Sequence, residues 1–70
     1  MNISELMASI ARNGLSIPKL AQKIGIDKKT LYSKIKGISS FTQREIVLIS
    51  KALKLSQEQI MIIFFADDVS

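Results

Sequence analysis

Seventy residues with an apolar share of 47% make one domain, near the lower end of what folds without disulfides or metal. The chain has neither cysteine nor histidine, which excludes disulfides, zinc fingers, thiol nucleophiles and imidazole acid–base chemistry. The net charge is +4, and the longest apolar run, Ile60 to Ala66, is far short of the roughly 20 residues a bilayer span needs.

The periodicity predicts five helices and no strands. The first runs from about Ile3 to Asn13, with Asn2 and Glu5 as a capping box and an apolar stripe of Ile3, Leu6, Met7 and Ile10. Gly14 ends it. The second follows Ser16, an N-cap, and carries Pro18 in its first turn, where a missing N–H costs little. Its inner face is Ile17, Leu20, Ala21 and Ile24. Gly25 closes it in a left-handed conformation, and Asp27 caps the next helix, Lys28 to Lys36. That helix has only Leu31 and Ile35 as large inward residues. With Leu31 facing the core, Lys29, Ser33 and Lys36 point away, and Thr30 and Tyr32 lie on the flanks. Gly37 closes it, and Ile38 is expected to make an apolar contact after the cap.

The fourth helix spans Gln43 to about Leu53 behind a Thr42–Glu45 capping box, with Ile46, Ile49 and Leu53 inward and Val47 and Leu48 left over. Ser56 and Gln59 open the fifth, from Gln57 to about Phe65. Ile60, Ile63 and Phe64 suit the core, whereas Met61, Ile62 and Phe65 cover the other side. A short helix apolar all round must be buried on more than one side. The tail Ala66 to Ser70 reads as polar, acidic and frayed.

Charge is concentrated in the middle of the chain. Residues 16–44 hold seven lysines and arginines against Asp27 alone, whereas residues 45–70 are net acidic. Lys28, Lys29, Lys34 and Lys36 are expected to share an outward face with Tyr32 and Ser33. A phosphate backbone rewards that placement through counterion release. Two short helices joined by a tight turn, the second showing a short basic and hydrogen-bonding face, are the pattern of a DNA-reading helix-turn-helix.

The stretch LSIPKLAQKIGIDKKTLYSKIKG, with Ala21, Gly25, Leu31 and Gly37 at their spacing, resembles the helix-turn-helix of lambda-repressor-like proteins, the Cro and phage-repressor type also called Xre. The run SSFTQREIVLISKALKLSQEQIMIIFF is similar to the ending of small prophage regulators of that group. The resemblance covers about Leu6 to Phe65. It implies a five-helix, all-α lambda-repressor-like domain over residues 1–70, with the helix-turn-helix at about 16–36. Many relatives carry glutamine where this chain has Ile17, whose side chain cannot donate to a phosphate.

Outward residues on the recognition helix can reach base edges in the major groove, which selects Lys28, Lys29, Thr30, Tyr32 and Ser33. The resemblance places Lys28, Lys29 and Ser33 at base-reading positions of the family. Phosphate contacts are expected from the flanks: Ser16 and the Ile17 N–H at the start of helix 2, then Lys36, Ser39, Ser40, Thr42 and Arg44. Ser16 and Thr42 are equally explained as caps alone. Met61, Ile62 and Phe65, with Leu48, lack a place inside and are expected to join two copies. No catalytic, metal or cofactor site is expected. Asp67 and Asp68, the only adjacent carboxylates, have no further oxygen ligands nearby in sequence.

These readings lead to a transcriptional regulator, a Cro-like repressor that occupies a near-palindromic site on double-stranded DNA as a homodimer. No membrane association or small-molecule ligand is expected, and no signal peptide is visible, so a bacterial or phage-infected cytosol is the expected compartment. Two alternatives use the same fold: the antitoxin of a toxin–antitoxin pair, and a protein–protein interaction module that no longer binds DNA.

Overall fold

The computed structural model describes residues 1–65, which form five α-helices and no strand. The helices are α1 (Ile3–Arg12), α2 (Ile17–Ile24), α3 (Lys28–Ile35), α4 (Gln43–Ala52) and α5 (Gln57–Phe64). The acidic tail and the Asp67–Asp68 pair lie outside the described residues. Among the described residues no helix is long and apolar enough to cross a membrane.

Local chemistry sets each boundary. Asn2, Ser16, Thr42 and Ser56 each cap a helix by accepting the N–H three residues on, whereas Asp27 takes that of Lys29 at 2.9 Å. Such caps contribute about 1 kcal/mol each. The Thr42–Glu45 and Ser56–Gln59 boxes are closed in both directions. The Asn2–Glu5 box is only half made. Glu5 accepts from Arg12 at 3.0 Å instead, while the Asn2 N–H donates to the Ile63 carbonyl at 2.7 Å and ties α1 to α5.

The core consists of Leu6 and Ile10 from α1, Ile17, Leu20, Ala21 and Ile24 from α2, Leu31 and Ile35 from α3, Ile49 from α4 with Leu53 at its end, and Ile63 from α5. Each fully buried leucine or isoleucine contributes about 1.5–3 kcal/mol relative to exposure. α2 sits at the centre, packed on both α3 and α4, and α1 packs on α5. Asn13 joins the ends of α1 and α4, its Nδ2 donating to the Leu53 carbonyl at 3.1 Å.

Several apolar positions depart from the periodicity. Ile3 and Met7 are exposed, because Ser9 takes the third inward position of α1 beside Leu6 and Ile10. Ile46 and Ile60, expected inside, are only half-buried, and Val47 is exposed. Leu48 packs half-buried against the core. Ile38 is 76% exposed and makes no apolar closure after α3. The neighbouring loop residue Phe41 anchors that segment instead, its ring edge-to-face with Phe64 at 5.4 Å.

Candidate nucleic-acid interface

α2 and α3 are joined by the turn at residues 25–27. Gly25 has φ 79°, a left-handed conformation that costs other residues a steric penalty. It lets the Ile26 N–H close onto the Ala21 carbonyl at 3.0 Å. α3 leaves the turn carrying Lys28, Lys29, Thr30 and Tyr32 on its exposed surface, with Lys36 exposed at its end. Ser33 is half-buried rather than fully outward. Gly37, at φ 85°, turns the chain back over it, so that the Ile38 N–H donates to the Ser33 carbonyl at 2.9 Å.

Lys34 is the main correction to the sequence reading. It does not belong to the outward basic face but is buried beside Leu31 and Ile35. Its side chain is 10% exposed, and its Nζ lies 2.8 Å from Glu45 Oε1 and donates to the Ser40 carbonyl at 2.9 Å. Glu45 Oε1 also accepts the Thr42 N–H at 2.8 Å. One carboxylate therefore closes the α4 cap and pairs with α3, while the same lysine fixes the loop between them. Burial alone pushes the Glu45 carboxyl up, but Lys34 and the Thr42 hydrogen bonds outweigh it and hold the group below 4.5. The pattern was present in the sequence, since Lys34 stands three residues after Leu31 on the inward side. Its charge masked its position.

This clamp supports the segment expected to touch phosphate. Ser39, Ser40, Thr42 and Arg44 are all exposed along the loop and the first turn of α4, and Ser16 is exposed at the start of α2. The Ile17 side chain is buried in the core, so only its backbone N–H is offered to an anion. Ser16 and Thr42 are both engaged as caps, at 3.4 Å and 3.1 Å respectively. That leaves Lys36, Ser39, Ser40 and Arg44 as the side chains free for phosphate. Every buried side-chain nitrogen or oxygen among the described residues has a hydrogen-bond partner. Among them no cluster of three or more acidic side chains is placed to hold a metal ion.

Comparison of the chain with models of known families, with curated proteins and with solved structures found no significant match.

Proposed function

We propose that this chain is a sequence-specific duplex-DNA-binding regulator on the lambda-repressor-like fold, with α2 and α3 as its helix-turn-helix. It binds rather than catalyses. It works in the cytosol as a homodimer joined through its carboxy-terminal part, and it occupies a near-palindromic operator so as to exclude polymerase. The observation that carries the reading is the division of α3. Leu31, Lys34 and Ile35 hold it to the domain, and Lys28, Lys29, Thr30 and Tyr32 leave a basic, hydrogen-bonding surface uncovered, with Ser33 half-buried beside them. Lysine suits the O6 and N7 acceptors of guanine, and Thr30 or the Tyr32 ring suits a thymine methyl.

Selection of binding sites from random duplex DNA tests the proposal. The expected outcome is a near-palindromic consensus bound well above a scrambled duplex of equal length, and equal affinity for both overturns it. Within the selected site, Lys29→Ala is expected to cost about 1–3 kcal/mol and to relax the preference at one base pair. Titration against a panel of single-base variants reads this out. A uniform loss on every sequence makes Lys29 a phosphate contact instead.

A further inference from the structure

Between α4 and α5 lies an open groove of about 880 Å³, within the size range of small-molecule sites. Ile46 and Val47 of α4 line it together with Leu55 and Ile60. Val47 is exposed, and Ile46, Leu55 and Ile60 are only half-buried. Ser50 also lines the groove, but its hydroxyl turns onto its own helix and donates to the Ile46 carbonyl at 2.6 Å. The floor therefore offers a ligand carbon and no free hydroxyl proton.

Charge enters at one end. Lys51 and Lys54 border the groove where α4 finishes, and Gln43 borders it where that helix starts. Both lysines are exposed, and among the described residues neither side chain makes a hydrogen bond or ion pair. Lys54 has φ 54° and is the one residue other than glycine with a positive φ among the described residues. The turns after α1, α2 and α3 carry Gly14, Gly25 and Gly37 at φ 67°, 79° and 85°. A glycine would complete the α4 turn without the steric penalty that lysine meets. That turn closes through backbone alone, from the Lys54 N–H to the Lys51 carbonyl at 3.3 Å and from the Leu55 N–H to the Ser50 carbonyl at 2.9 Å. The Lys54 side chain takes no part in it. Strain kept at a surface position implies a use for the side chain that causes it.

We propose that the groove binds a free linear carboxylate. The apolar chain lies along Ile46, Val47, Leu55 and Ile60, and the carboxylate meets the ammonium groups of Lys51 and Lys54. Burial of the chain supplies the affinity, and the two cations select the head. Lys51 stands eight residues beyond Gln43, about 12 Å along the helix, which matches a chain of about ten carbons. None of the residues expected to read bases or touch phosphate lines the groove, so the site does not rest on the DNA-binding reading.

The test is calorimetric titration of the full chain, without DNA, using decanoate at concentrations too low for micelles. Decanoate is expected to bind once per chain with a Kd below about 1 mM. Butyrate keeps the head, and decyltrimethylammonium keeps the chain but reverses the charge. Each is expected to bind at least about tenfold more weakly. Lys54→Gly is expected to melt no lower than the parent and to bind decanoate at least about threefold more weakly. Adding Lys51→Gln is expected to leave decanoate and decyltrimethylammonium bound equally. Val47→Glu, shown by circular dichroism to be folded, is expected to abolish binding, whereas Met7→Gln on the exposed side of α1 leaves it unchanged. A parent that does not bind decanoate, or that binds both surfactants equally, overturns the proposal. Full affinity in the double lysine variant or in Val47→Glu does the same. So does an affinity that falls as chain concentration rises, since a second copy then fills the groove.

Discussion

Lys34→Met is expected to lower stability by about 3 kcal/mol, because removal of one partner strands the other charge in a poorly solvated place. Methionine keeps an unbranched apolar stem at this buried position, so the loss reports the ion pair rather than a cavity. The Glu45 side chain is 14% exposed, and after the substitution it keeps only its Thr42 contacts. A domain of this length has a total stability of roughly 4–10 kcal/mol, so the urea midpoint should fall steeply. The pH dependence has a definite sign. The folded-state pKa of Glu45 lies below its ordinary value of 4.5, so the stabilisation is fully present above 4.5 and is lost as pH falls through the folded value. The gap between parent and variant should narrow on acidification. A stability change of less than about 1 kcal/mol at neutral pH would show that the pair contributes no more than an exposed one.

Under the proposed DNA-binding reading, the second large effect is on affinity for duplex DNA with salt. Seven cationic side chains lie in residues 16–44, and the engagement of Lys34 inside the domain leaves six. With about half of these on phosphates in each subunit of a dimer, the log–log slope of affinity against salt should be near −5. Between about 50 and 200 mM salt the affinity should then fall on the order of a thousandfold. Lys36→Ala and Arg44→Ala should each make the slope shallower, by about one unit for every phosphate that is no longer neutralised. A slope flatter than about −2 for the parent would remove the basic surface as the source of affinity.

The two effects bear on what was readable in the sequence. Caps and glycines located all five helices, because Ser16, Asp27, Thr42 and Ser56 act through bonds only a few residues long. The inner face of α2 and the Leu31 and Ile35 anchors of α3 followed from spacing for the same reason. What spacing could not supply was set by contacts distant in the chain. Lys34 reads as a solvated charge until Glu45 and the Ser40 carbonyl are brought against it. Ile46 and Ile60 read as core until the packing of α4 and α5 leaves a trough between them. In the candidate interface, the exposed residues Lys28, Lys29, Thr30 and Tyr32 were legible, whereas the folding of the chain over Ser33 was not.

The narrow footing of α3 separates the work of folding from the choice of target. Its attachment uses Leu31, Lys34 and Ile35 together with backbone closures, so positions 28, 29, 30 and 32 carry little of the domain's stability. Under the DNA-binding reading, a duplicated copy is free to change its address letter by letter without first gaining a stability reserve. The anchoring positions do not share that freedom, since a change at Lys34 needs a matching change at Glu45. Lineages built on this scaffold would diverge in which operators they recognise while keeping the same internal clamp.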